Sequence, residues 1–406
     1  MNNILKKIIF NSIYVLFILI LSPLAYIVPK NKKTIIFFGK YEGRFEDNIK
    51  YLYLYGIENN INNFNYYFLT ESKNIYNSID NKKIKLLYYP SFKSFIALLR
   101  ANIIVADHWT WVRSLKFPLL LKSKKVQLWH GVGFKKIEKE IPEIKKKLSK
   151  LMYQIYYKLT GRFTVFYDIV TTTSIFYKEK VFEPAFNAKK VLVTGYPRND
   201  VFYMQDIPDS FKLGVDHDVE ALLKTFKEKN KKIILYAPTF RDSDSVNTHN
   251  SGFDEERLNS FLEENNMVFV CKLHPNKEIQ NKNHKNIIYY GNNLDAYPCF
   301  HYFDLLITDY SSIYMDYLHL NRPIIFYCYD LDDYISKDRE IQFDYDWITP
   351  GKKCFSQDEL EQEVLKNLIQ NEDTFLSNRK NIMKIAHEFY DGNASKRVWD
   401  EIKTLK

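Results

Sequence analysis

Short runs of β-branched and aromatic residues recur along the chain, each followed by a stretch with helical spacing. The first series is "TIIFF" (34–38), "YYFL" (66–69), "IKLLY" (84–88), "IIVA" (103–106), "VQLW" (126–129), "DIVTTT" (168–173) and "VLVTG" (191–195). A second series is "IILYA" (233–237), "MVFVCKL" (267–273), "NIIYY" (286–290), "LLIT" (305–308) and "PIIFYC" (323–328). Runs that are apolar throughout predict strands buried on both faces, and alternation with helices predicts parallel sheets. The fold class is therefore α/β, with two doubly wound, Rossmann-like domains. The polar stretch Met204–Asp218, carrying Pro208 and Gly214, is the natural break between them. The expected domains span 34–210 and 211–406, the second ending in a bracing helix.

Ahead of the first strand lie 21 residues without a charge, Ile8–Val28, flanked by Lys6 and Lys7 and by Lys30, Lys32 and Lys33. That length suits a bilayer core. Residues 1–33 are expected to anchor the protein in the cell membrane, and the basic flank places the body on the cytoplasmic side. Pro23 offers an in-plane anchor as the alternative, and a buried helix is another. The net charge of +9 over 406 residues favours anionic partners: phosphates, a nucleotide or a lipid surface. The four cysteines have no paired metal-like spacing, which suits reduced thiols.

In doubly wound sheets ligands collect beyond the carboxyl ends of the strands. Polar residues cluster at five such ends. "VQLWHGVGFKK" carries His130 and Gly131, and "VLVTGYPRND" carries Arg198 and Asp200. "IILYAPTFRD" carries Thr239 and Arg241, "VFVCKLHP" carries His274, and "LLITDYSS" carries Asp309, Ser311 and Ser312. A histidine there can take a proton from a hydroxyl near neutral pH. Arg198 and Arg241 can neutralise phosphate, or pair with surface carboxylates. A helix beginning near Ser311 would favour an anion, or the serines cap it. Asp309 can orient a histidine, hold a hydroxyl or cap the turn. No HExxH or Cys/His cluster points to a metal, and no GxGxxG or GxxxxGK[ST] points to a dinucleotide oxidoreductase or P-loop kinase.

The ordered motifs "WHGVGFKK", "GYPRND", "YAPTFRD", "KLHP", "LITDYSSIYMDY" and "RPIIFYCYDLDDY", closing with "FDYDW…PGKKC" and "HEFYDGNASKRVWDEI", resemble those of the CDP-glycerol glycerophosphotransferases. The likeness covers roughly 100–402. These membrane-associated enzymes build teichoic-acid-type polymers and related capsules. The resemblance implies a GT-B-like pair of domains with the active site in the interdomain cleft. It also implies transfer of glycerol phosphate, or a related alditol phosphate, from CDP-glycerol to a hydroxyl of a lipid-linked saccharide or polymer acceptor. CMP leaves, and nucleic acid is not a partner. His130 becomes the general base, and His274 stabilises the transferred phosphate. Thr239, Arg241, Ser311 and Ser312 hold the donor pyrophosphate, Asp309 shapes that pocket, and Gly131 and Arg198 complete the substrate-binding set. The family usually has Thr-Pro-Leu where this chain has Val132, Gly133 and Phe134, a difference that bears on the acceptor. CDP-glycerol enters as a substrate; no cofactor is implied and the need for a divalent metal stays open. The alternatives are a GT-B glycosyltransferase using a nucleotide sugar and a non-catalytic capsule-assembly protein.

Overall fold

Every one of the expected apolar runs forms a strand in the computed structural model, which describes residues 3–79, 84–112, 115–239, 253–273, 284–331 and 342–405. The chain divides into two units. The first comprises Met1–His130, Ile137–Asp200 and Asp391–Lys406, the second Gly131–Lys136 and Val201–Tyr390.

The first unit contains β1 (Asn31–Phe38), β2 (Asn65–Thr70), β3 (Leu86–Tyr88), β4 (Ala101–Ala106), β5 (Lys124–Gln127), β6 (Phe166–Thr172) and β7 (Asn187–Val193). They pair in parallel in the order β3-β2-β1-β4-β5-β6-β7. Ile35, Ile36 and Phe37 of β1 are fully buried, as a central strand covered on both faces requires. Its helices include α1 (Asn3–Ile27), α2 (Asp47–Glu58), α3 (Phe92–Arg100), α4 (Pro142–Leu148) and α5 (Leu151–Thr160). At α3, Ser91 and Ser94 satisfy each other's backbone N–H groups, so the helix starts where that pair stands.

The second unit contains β8 (Lys232–Tyr236), β9 (Met267–Cys271), β10 (Ile287–Tyr289), β11 (Leu305–Thr308), β12 (Ile324–Tyr327) and β13 (Lys352–Cys354), with the parallel order β10-β9-β8-β11-β12-β13. The three-residue β13 escaped the pattern because two of its residues are lysines. Both sheets reverse direction of growth once, between β1 and β4 and between β8 and β11. Those switch points are where a doubly wound sheet opens a crevice for ligands. All four cysteines lie buried and unpaired in the second unit.

Two features differ from expectation. The units part after Asp200, ahead of the polar 204–218 stretch, and the C-terminal helix Ala394–Lys403 belongs to the first unit. Its Trp399 is fully buried against Phe37, Phe64 and Tyr66 and donates Nε1–H to the Leu52 carbonyl at 2.9 Å. A Cβ on Gly56 would sit 2.7 Å from that indole, so α2 needs glycine there. Among the described residues no helix is long and apolar enough to cross a membrane. The N-terminal segment instead forms α1 and lays one face on its own unit. Ile18 and Ala25 are buried, and Tyr14 Oη donates to the Val112 carbonyl at 3.0 Å.

Candidate active site

His130 stands three residues beyond Gln127, the last residue of β5, and its ring is fixed from one side. Nδ1 lies 3.0 Å from the main-chain oxygen of Asp107, the first residue after β4. A carbonyl only accepts, so Nδ1 carries the hydrogen and the neutral ring presents Nε2 as the lone-pair nitrogen. Burial, with the Lys40 ammonium behind it, lowers the imidazole pKa from 6.5 to about 4. The ring is thus an uncharged base at neutral pH.

The backbone around His130 is held as firmly as the ring. Trp129 sits in the left-handed region at φ 59, a conformation that costs a bulky residue roughly 1–3 kcal/mol. Its N–H donates to Gln127 Oε1 at 3.0 Å, and its carbonyl accepts from Asn48 Nδ2 at 2.9 Å. The His130 carbonyl accepts from Arg198 Nη1 at 2.8 Å. That guanidinium is buried and paired with Asp47, the first residue of α2, which also accepts from Lys40 Nζ at 3.0 Å. Burial alone would raise the Asp47 carboxyl, but Arg198 and Lys40 hold it well below the usual carboxylate range. Among the described residues no cation forms an ion pair with Asp107, and the Lys40 charge only partly offsets its burial. Burial and the neighbouring Asp47 push its carboxyl up, and its Oδ1 has no hydrogen-bond partner among the described residues.

Arg198 therefore braces the His130 loop, where the sequence suggested a phosphate ligand. Asp200 from the same motif accepts the N–H groups of Ala394 and Ser395, both at 2.8 Å, and so caps the C-terminal helix. "GYPRND" is, in this light, largely a scaffold motif.

In the second unit Asp309 follows β11 as Asp107 follows β4. Its Oδ1 accepts from the N–H of Thr239 at 2.7 Å and from that of Tyr310, so it ties the loop after β8 to the loop after β11 across the switch point. Tyr345 Oη donates to the Asp309 carbonyl at 3.0 Å. Ser311 and Ser312 are half-buried beside it, and Ser311 Oγ accepts from Ile313 N at 3.4 Å. The helix they introduce, Ile313–Tyr317, has only five residues, so the expected macrodipole is slight and the hydroxyls carry the polar character. Gly131–Lys136 belongs to this unit: a Cβ at Gly133 would lie 3.2 Å from Ser312, and the Phe134 ring meets Tyr345 edge-on at 5.4 Å. A proline or bulkier residue at Gly133 would press on Ser312. Arg241 and His274 lie outside the described residues. Among the described residues no three His, Cys, Asp or Glu side chains converge to hold a metal ion.

The family model described as CDP-Glycerol:Poly(glycerophosphate) glycerophosphotransferase matches residues 20–404. The chain belongs to this family. The glycerophosphotransferase is 29% identical to the teichoic acid glycerol-phosphate transferase of Staphylococcus aureus, over 98% of this chain and 99% of that one. It is 26% identical to the teichoic acid poly(glycerol phosphate) polymerase of Bacillus spizizenii, over 93% of each. Its fold is similar to that of the wall teichoic acid polymerase TagF, with a TM-score of 0.75 at 23% identity over 99% of this chain and 96% of that one. Within this glycerophosphotransferase, sequence reasoning passed over Lys40, Asp47, Asn48 and Asp107. They lie in or next to a region without motif character, and only "VADHWTW", a strand end carrying a histidine, hinted at Asp107.

Proposed function

We propose that this glycerophosphotransferase moves glycerol phosphate from CDP-glycerol to a hydroxyl of a lipid-linked acceptor, with His130 as general base. The acceptor O–H proton passes to His130 Nε2 as its oxygen attacks the phosphorus that bears glycerol. The bond from that phosphorus to the bridging oxygen breaks, and the electron pair leaves with CMP. Thr239, Ser311 and Ser312 hold the donor phosphates, and Arg241 and His274 stabilise the charge on the transferred group. Such a transfer needs positioning and charge stabilisation more than covalent help, and a base adds about 10²–10⁴-fold. The observation that carries the reading is the Nδ1–H bond to Asp107, which leaves Nε2 unprotonated.

A membrane surface at the cytoplasmic face fits the same reading. Leu16, Leu19 and Ile20 on α1 and Leu151, Met152 and Ile155 on α5 are all more than half exposed, and the two helices touch. Lys145, Lys146, Lys147 and Lys150 are exposed just before α5. Apolar side chains flanked by lysines suit the interface of an anionic bilayer.

The test is CMP release from CDP-glycerol with a lipid-linked acceptor. His130→Ala should lose at least a hundredfold in kcat with the CDP-glycerol KM little changed. Turnover of a nucleotide sugar instead, or full activity of the variant, would overturn the assignment. Flotation with phosphatidylglycerol vesicles should fail for Leu151→Glu with Ile155→Glu; undiminished flotation would remove the proposed membrane face.

A further inference from the structure

Next to the short helix that follows Ser311 and Ser312, two imidazoles of the second unit meet. His319 stands on the turn Leu318–Leu320, and His387 directly follows the helix Leu376–Ala386. His319 Nε2 lies 3.2 Å from His387 Nδ1, His387 Nε2 lies 2.9 Å from the Met315 carbonyl oxygen, and Tyr203 Oη lies 2.7 Å from His319 Nδ1. A carbonyl only accepts, so His387 Nε2 carries hydrogen. The neutral ring then offers Nδ1 to the Nε2–H of His319, and His319 Nδ1 is left to accept from the Tyr203 hydroxyl. Burial and the His387 ring hold the His319 pKa well below 6.5, so its ring is uncharged at neutral pH, as this order of hydrogens requires. Three hydrogen bonds therefore run in one direction, from the exposed Tyr203 to the buried Met315.

We propose that His387 is a positioning residue for the donor-phosphate serines, holding their helix through the Met315 carbonyl, with His319 and Tyr203 fixing the tautomer that lets it donate. The inference rests on the donor role of Ser311 and Ser312. The helix Ile313–Tyr317 has five residues, too few to be stable through its own backbone bonds, so its place is set by what grips it. Tyr314 Oη donates to the Ile348 carbonyl at 3.1 Å, Tyr317 Oη to the Phe303 carbonyl at 2.9 Å, and Asp316 accepts from Tyr297 Oη at 2.8 Å. Those three grips act at the ends of side chains, which leaves the backbone room to shift. His387 grips the backbone itself, at Met315, whose N–H donates to the Ser312 carbonyl at 3.0 Å. The order of the hydrogens matters. A His387 ring with its hydrogen on Nδ1 would turn a lone pair on the Met315 carbonyl, and two acceptors would face each other. The Nε2–H of His319 excludes that tautomer, and the Tyr203 hydroxyl keeps the His319 hydrogen on Nε2.

Steady-state kinetics with CDP-glycerol varied, together with hydrogen exchange of the peptide spanning 311–317, test this on the full chain. His387→Asn keeps an acceptor near the Nδ1 position and loses the donor to Met315. It should raise the CDP-glycerol KM about tenfold, leave kcat and the acceptor KM within about threefold, and speed exchange in that peptide. His387→Gln restores a donor near the Nε2 position and should bring both readouts back to within about twofold of the unaltered protein. Tyr203→Phe removes only an exposed hydroxyl, so the unit stays folded, and should raise the same KM about threefold. An unchanged KM in His387→Asn and Tyr203→Phe would overturn the proposal. So would an equal rise in His387→Asn and His387→Gln, which a packing role predicts. Ser311→Ala with Ser312→Ala keeps two failures apart. If that variant also leaves the CDP-glycerol KM unchanged, the donor role of the serines falls, and hydrogen exchange still decides whether His387 holds their helix.

Discussion

Arg198→Met separates the role the structure gives Arg198 from the phosphate contact its motif suggested. The guanidinium is 3% exposed and pairs with Asp47, itself 8% exposed. Removing one partner of a buried pair costs about 3–5 kcal/mol, because the other charge stays behind without compensation. Here Lys40 remains 3.0 Å from Asp47, so the loss belongs at the low end, about 3 kcal/mol. At a typical urea dependence this lowers the unfolding midpoint by roughly 1–2 M. Tryptophan fluorescence follows the right part of the molecule, since Trp109, Trp111, Trp129 and Trp399 lie in the first unit and Trp347 alone in the second. The His130 carbonyl also loses its donor. A small displacement of the imidazole should lower kcat about 10–100-fold with the CDP-glycerol KM within twofold. An unchanged midpoint together with a tenfold rise in that KM would refute the bracing role and restore the phosphate contact.

Because the His130 pKa is lowered to about 4, kcat/KM should stay flat from neutral pH down to about pH 5, and Lys40→Met should move the acid limb upward; an acid limb at 6.5 in the unaltered protein would contradict this. The same group makes stability fall as pH drops from 6.5 toward 4, since in that window the unfolded chain binds a proton that the folded chain refuses; an equal slope in His130→Ala would show the slope comes from elsewhere. Ser311→Ala with Ser312→Ala should raise the CDP-glycerol KM about tenfold and leave the acceptor KM alone, and steady-state kinetics with each substrate varied decides it. Trp399→Ala should destabilise the first unit by about 3–5 kcal/mol, read from its urea midpoint; a loss under 1 kcal/mol would mean the C-terminal helix contributes little.

The strand series and the two-sheet class were legible because central parallel strands are buried on both faces and so read as unbroken apolar runs, as Ile35–Phe37 and Leu305–Ile307 do. His130, Asp309 and the two serines stood out as candidates because polar residues directly after such runs have few structural reasons to be there. What the residues at strand ends do was not legible. Arg198 reads identically whether it meets a phosphate or a carboxylate, and the carboxylate it meets lies 151 positions earlier in a stretch without motif character. Asp309 likewise found its partner 70 positions away, at the N–H of Thr239, and Trp399 found its acceptor 347 positions away. The apolar stretch at the N-terminus had the length of a membrane span, yet the seating of Ile18, Ala25 and Tyr14 on its own unit depends on a surface that exists only after folding. Sequence alone determined which segments are buried and where chemistry gathers, since both follow from local polarity. Tertiary structure alone decided which charges are neutralised by which, because that depends on distances between segments that only chain closure brings together.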